Sequence, residues 1–342
     1  MKKQNTIRIL SVAGALVLAV GGMTACGEKE HSASTSAQTK AEKSSKEKIQ
    51  IVTTIFPEYD WVREILGEHA DEAEITMLLD NGVDLHSYQP SAADILKISD
   101  SDLFLYVGGE SQEWAEDVLK ENAREERKEI NLMEALGDHV REEEVVEGME
   151  EEEHGANGEE EEGQEYDEHV WLSLNNAEIL CDAIAENLGE IDPEHAGDYE
   201  KNAEAYKKKL QALDNEYEEA VSKASCKLLV FGDRFPFRYL ADDYNLSYYA
   251  AFPGCSAETE ASFETVTFLA GKVDEWNLKH VMTIEKSDGK IAKTIIENTK
   301  EKNQEILALD SMQSMTSADV EEGKTYYSVM KENLDILKQA LQ

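Results

Sequence analysis

From residue 49 onward, short apolar runs alternate with stretches in which apolar side chains recur every three or four residues. Ile49-Gln50-Ile51-Val52-Thr53-Thr54 reads as a strand and Glu58 to Leu66 as a helix. Glu74 to Leu79 is a second strand. Ser91-Ala92-Ala93-Asp94 opens a second helix, with Ser91 at the N-cap and Asp94 reaching back to it. Leu103 to Val107 is a third strand. Strand, helix, strand, helix, strand in this order predicts a parallel sheet with helices on its faces.

Asn175 to Leu188 is helical. The longest uninterrupted pattern is Asp198 to Ala224, where Tyr199, Ala203, Tyr206, Leu210, Leu213, Tyr217 and Val221 fall at three- and four-residue steps. At 1.5 Å per residue this helix is ~40 Å long, enough to connect two lobes. The α/β pattern then restarts. Leu228 to Phe231, Ser247 to Ala250, His280 to Ile284 and Ile306 to Leu309 read as strands. Ser262 to Trp276, Gly289 to Lys300 and Thr325 to Leu341 read as helices. The expected organisation is a first lobe over 49–197, a linking helix over 198–224 and a second lobe over 225–342.

The first 48 residues follow another logic. Lys2, Lys3 and Arg8 precede an apolar run from Ile9 to Val20 that is short for a membrane span of ~20 residues and fits a secretory signal over 1–25. Met23-Thr24-Ala25-Cys26 resembles the lipobox of bacterial lipoproteins, which makes Cys26 the expected lipidation site. Two acyl chains suffice for stable anchoring. Residues 26–48 hold no Ile, Leu, Val or aromatic residue and read as a flexible tether.

The formal charge of −40 argues against nucleic-acid phosphates as partners and favours cations or plain solubility. Residues 142–168 carry fifteen carboxylates and neither Lys nor Arg, so self-repulsion and four glycines predict a mobile acidic loop. Cys181, Cys226 and Cys255 form no Cys-x-x-Cys pair, and their pairing is left open. Of eight histidines, His86 and His169 lie in loops beside a predicted strand or helix end, where parallel sheets place their ligands.

Gly82-Val83-Asp84-Leu85-His86-Ser87-Tyr88-Gln89-Pro90-Ser91 resembles the G-x-D-P-H-x-Y-E-P-(ST) motif of the zinc/manganese ABC-transporter solute-binding proteins, with Leu85 in place of Pro. Glu168-His169-Val170-Trp171-Leu172-Ser173 resembles their D-P-H-V-W-L-(DS). The acidic loop stands where zinc-binding members carry a His- and acid-rich loop. Tyr199-Glu200-Lys201-Asn202, Leu309-Asp310 and the stretch from Tyr326 to Leu341 resemble three further family positions in the same order. The resemblance implies two Rossmann-like α/β lobes with parallel sheets, joined by one long rigid helix, with a metal held between them. It implies His86 and His169 as first-lobe ligands and Asp310 as a second-lobe ligand. Imidazole and carboxylate suit Zn2+; Mn2+, the alternative, prefers more oxygen.

The resemblance breaks at Phe231-Gly232-Asp233-Arg234-Phe235-Pro236-Phe237-Arg238-Tyr239-Leu240. The family carries a histidine or glutamate ligand where this chain has Gly232, and about two residues are inserted after it. A carboxylate from Glu258 or Glu260, or a water, is the expected replacement, with Asp233 and Cys255 as further candidates. The implied function is capture of a divalent metal ion by a lipid-anchored extracytoplasmic monomer and its delivery to an ABC permease and ATPase. A surface adhesin of the same fold is the other class that fits. A zinc hydrolase would need an open metal position and a general base, and no His-Glu-x-x-His is present.

Overall fold

The computed structural model describes residues 48–150, 165–256 and 260–342. The expected signal, tether and Cys26 lie outside the described residues, as do Glu258 and the centre of the acidic loop.

In chain order the first lobe contains β1 (Ile49–Thr53), α1 (Phe56–Leu66), β2 (Ala73–Met77), α2 (Ala92–Asp100), β3 (Leu103–Tyr106), α3 (Glu113–Glu121), β4 (Lys128–Asn131), α4 (Leu132–Leu136) and α5 (Leu174–Ile191). The long helix α6 (Ala196–Lys223) follows. The second lobe contains β5 (Leu228–Phe235), α7 (Arg238–Asp243), β6 (Ser247–Pro253), α8 (Phe263–Glu275), β7 (His280–Ile284), α9 (Lys290–Asn298), β8 (Glu305–Leu309), α10 (Ser317–Glu321) and α11 (Tyr326–Ala340).

Both sheets have four parallel strands, ordered β2-β1-β3-β4 and β6-β5-β7-β8. The expected α/β class holds. Each sheet changes winding direction beside its first strand, and loops diverging there leave a crevice at the strands' C-terminal ends. Residue periodicity fixes the long helix as well: the seven apolar residues of its stripe are all buried. Burying a Leu or Val of that kind contributes roughly 1.5–3 kcal/mol. The cap on α2 forms as its sequence predicts, with Asp94 N donating to Ser91 Oγ at 3.3 Å and Ser91 N to Asp94 Oδ2 at 3.0 Å. The polar edge strand β4 and helix α3 are additional to the elements expected from periodicity.

The acidic loop differs from expectation at its ends. Glu143 N donates to Glu165 O at 3.0 Å, Glu150 N donates to Ala251 O at 3.0 Å, and Asp167 N donates to Arg141 O at 2.9 Å. Val146 and Met149 pack against the main core. Apolar anchors and backbone pairing outweigh charge repulsion there.

Strand β5 carries an irregularity between Phe231 and Arg234, where Gly232 and Asp233 face the single Ala251 of β6. This bulge accommodates part of the insertion after Gly232. A Cβ on Gly232 would lie 2.5 Å from Ala292 Cα and 2.6 Å from Ala292 N, so α9 occupies the space any side chain would need. Gly232→Ala is expected to destabilise the protein by about 1–3 kcal/mol through forced overpacking. Urea denaturation checks this, and an unchanged midpoint would show that α9 yields freely.

Candidate metal centre

His86 sits in a short 3-10 turn, Leu85–Ser87, reached from the C-terminal end of β2. Asp84 caps this turn: its Oδ1 accepts from His86 N at 3.0 Å. His169 stands at the entrance of another such turn, Val170–Leu172, and Asp167 Oδ1 accepts from His169 N at 2.8 Å. The same Asp-x-His spacing thus shapes both loops. An aspartate bonding the backbone two residues on is a stable local device.

Both rings are held through Nδ1. Ser111 Oγ lies 2.7 Å from His86 Nδ1, with Glu168 Oε2 at 3.4 Å. Asp167 Oδ1 lies 2.9 Å from His169 Nδ1. An oxygen on one nitrogen orients the ring and aims the other. Here the aimed atoms meet: His86 Nε2 and His169 Nε2 are 3.3 Å apart. Two bonds of 2.0–2.1 Å at a tetrahedral angle would separate the ligand nitrogens of a zinc ion by about 3.3 Å.

Burial, and then the neighbouring His169 ring, push the His86 imidazole down to about 3, with Arg234 adding to the effect and Asp84 opposing it. Burial also raises Glu168 and Glu143, which line the same cavity of about 550 Å³ together with Cys255. One oxygen of Glu168 accepts from Ser111 N at 2.8 Å.

Three donors lie together here. One nitrogen each from His86 and His169 and Sγ of Cys255 fall within 4.8 Å of one another. Cys255 follows the C-terminal end of β6, and its N donates to Glu143 Oε1 at 3.1 Å. Gly254 brings that loop close: a Cβ there would lie 3.1 Å from His169 Cε1. Among the described residues the other such group is His69, Glu72 and His195, on the outer side of the first lobe.

Asp310 follows β8 but does not join the histidine pair. Its Oδ1 turns back to accept from Met312 N at 2.8 Å, and Asn333 clamps its backbone with bonds of 2.8 Å to N and to O. Burial, then Glu285, pushes its carboxyl up to about 6. Gln313 takes the second-lobe side of His169 instead. With its amide nitrogen turned to Asp84 it donates at 3.1 and 2.8 Å, and its oxygen faces His169 Nε2 at 2.7 Å.

Glu260 lines a separate cavity with Gly232 and Asp233. Asp233 is engaged locally, accepting from Arg234 N at 3.0 Å and from Ser287 Oγ.

Asp84 also pairs with Arg234 of the second lobe. Trp171 Nε1 donates to Ser311 O at 2.8 Å, and Tyr239 OH donates to Asp167 O at 2.7 Å. Second-lobe residues therefore hold both histidine loops. Asp167, Ser111, Arg234 and Gln313 were not singled out by sequence as parts of the centre. Asp167 was legible through the repeated Asp-x-His spacing. The others become neighbours only through tertiary contact.

The family model for the periplasmic zinc-uptake complex component A, ZnuA, matches residues 51–340. The chain belongs to this family. As a ZnuA-family protein it is 34% identical over 293 residues to the zinc-binding lipoprotein AdcA of Streptococcus pneumoniae serotype 4, an alignment covering 85% of this chain and 56% of AdcA. The chain thus spans about half the length of the AdcA proteins it matches. It is 29% identical to the high-affinity zinc uptake system protein ZnuA of Bacillus subtilis, covering 89% of this chain and 91% of that one. The Zn(II)-bound ZnuA-like domain of S. pneumoniae AdcA superposes with a TM-score of 0.66 at 31% identity, over 86% of this chain and 99% of that domain. The laminin-binding protein Lmb of Streptococcus agalactiae, described as bifunctional with adhesin and metal transporting activity, gives 0.68 at 26% identity, over 86% and 100% of the two chains.

The depressed His86 imidazole has a consequence for stability. The unfolded chain takes up a proton there near pH ~6.5 that the folded chain refuses until about pH 3. His86 therefore contributes fully above pH ~6.5 and progressively less as pH falls. Between pH ~6.5 and ~4.5, the metal-free wild type should lose roughly 2 kcal/mol more than His86→Gln. Urea denaturation at both pH values measures the difference. Equal losses would mean that the fold does not hold His86 neutral.

Proposed function

We propose that this protein captures a divalent zinc ion between its lobes, outside the cytoplasm, and hands it to the permease and ATPase of an ABC importer. The observation that carries this reading is the 3.3 Å approach of His86 Nε2 to His169 Nε2, with each ring tethered through Nδ1. Paired imidazoles favour Zn2+ over Mn2+, whose usual ligands are oxygens. Membership of a zinc-uptake family and the likeness to a Zn(II)-bound domain support the same cation. Capture and release of an ion require ligation and no bond chemistry, so the reading is of a carrier rather than an enzyme.

Asp310 serves as the second-lobe carboxylate, closing on the ion once Gln313 leaves His169. The bond from Trp171 to the carbonyl of Ser311, the next residue, keeps the Asp310 turn beside the His169 loop. The carrier divides into a first lobe at 49–197, a linking helix at 198–224 and a second lobe at 225–342. Among the described residues nothing favours an adhesive role over transport.

A ligand that binds only the folded state adds about 4 kcal/mol of stability at a thousandfold excess over its Kd. Zinc should raise the thermal midpoint by several degrees. His86→Ala or His169→Ala should remove most of that rise, as read by calorimetry with and without zinc. Wild-type stabilisation in the double variant would place the ion elsewhere.

Anchoring is proposed through Cys26, on the basic, apolar and small-residue order that ends there and on the naming of the AdcA relative as a lipoprotein. Among the described residues no helix is long and apolar enough to cross a membrane. Cys26→Ala should release the protein from membranes or leave it unprocessed. Unchanged fractionation and unchanged N-terminal mass in that variant would contradict the anchor.

A further inference from the structure

We propose that Cys255 is a further protein ligand of the captured ion, so that the carrier holds its cargo through two imidazoles, one thiolate and the Asp310 carboxylate. This rests on the zinc-capture reading and adds the ion class: thiophilic divalent cations such as Zn2+, Co2+ and Cd2+ are taken in preference to Mn2+ or Mg2+.

Sγ of Cys255 lies with one nitrogen of each histidine inside a 4.8 Å group. Bonds of 2.0–2.1 Å to nitrogen and about 2.3 Å to sulfur close such a group by shifts of a few tenths of an ångström to about 1 Å. The backbone is already set for this. Cys255 N is bound to Glu143 Oε1 at 3.1 Å, and Gly254 lets the loop approach His169 where a Cβ would crowd the ring at 3.1 Å. The position that a strand residue could have used is closed, because a Cβ on Gly232 would meet the backbone of Ala292 at 2.5 Å. The loop after β6 therefore supplies the donor that β5 cannot.

Glu143 and Glu168 line the cavity beside the thiol. Coordination replaces the S–H proton by a metal–sulfur bond and releases that proton to solvent, and the carboxylates then face a cation. A sulfur donor disfavours Mn2+, which prefers oxygen. Cys181, by contrast, is fully buried in the α5 packing and Cys226 precedes β5, so neither belongs to the group.

Cobalt titrated into the metal-free protein tests this directly. A cobalt–thiolate bond gives a near-ultraviolet charge-transfer band, while the visible d–d bands report ligation by any donors. Wild type should show both. Cys255→Ser should lose the charge-transfer band, keep the d–d bands and bind zinc more weakly by at least the roughly 10- to 100-fold that loss of an outer-shell partner costs, with manganese binding little changed. Cys226→Ser should behave as wild type. If wild type shows d–d bands without charge transfer, or if the band survives in Cys255→Ser, the thiolate is overturned while capture by His86 and His169 stands. If neither band appears and zinc does not bind, the capture reading fails too.

Discussion

Two imidazole nitrogens 3.3 Å apart can share one proton or one cation, but two protons would repel. Most of the molecule around His86 and His169 serves to hold that spacing. His169 is fully buried, and His86 is largely so where it borders the cavity. A neutral His86 imidazole in such a place is poised as a donor, because burial has already disfavoured its protonated form. Each ring owes its orientation to an oxygen on Nδ1: Asp167 Oδ1 also accepts from His169 N, and Ser111, beside His86, is held through its own N by Glu168.

That requirement explains the architecture. Parallel strands deliver their loops to one end, and both four-stranded sheets turn those ends toward a shared crevice. The first lobe contributes both histidines. The second lobe fixes their loops through Arg234, Tyr239 and the carbonyl of Ser311. The closing helix α11 adds Tyr326, whose hydroxyl donates to Trp171 O at 2.7 Å and whose N donates to Asp60 at 2.8 Å. Displacing the second lobe would therefore loosen both histidine loops, and release of the ion can be coupled to lobe motion without any change in the ligands.

Much of this was legible in the chain. The helical stripe from Tyr199 to Val221 has one face to bury and could only be a helix. Ile49 to Thr54 and Leu103 to Val107 are near-continuous apolar runs, as strands covered on both faces must be. Strand β4 was not legible, because Lys128-Glu129-Ile130-Asn131 carries a single apolar side chain and pairs at a sheet edge. His86 and His169 were legible through motif and loop position. The further donor was only partly legible: the residues offered Glu258, Glu260, Asp233 and Cys255 as candidates, and spacing alone could not choose among them. The fold adds that Cys255, two residues beyond Pro253 at the end of β6, lies beside the histidine pair, whereas Glu260 lines a neighbouring cavity. At Asp310, likewise, only the fold reveals the bonds to Asn333 and Met312 that shape its turn.

The most direct test is a crystal of the zinc-loaded protein with anomalous data collected on both sides of the zinc absorption edge. The account predicts one dominant anomalous peak between His86 Nε2 and His169 Nε2, about 2.0–2.1 Å from each nitrogen. A dominant peak at His69, Glu72 and His195, with the cleft histidines still in direct contact, would contradict it.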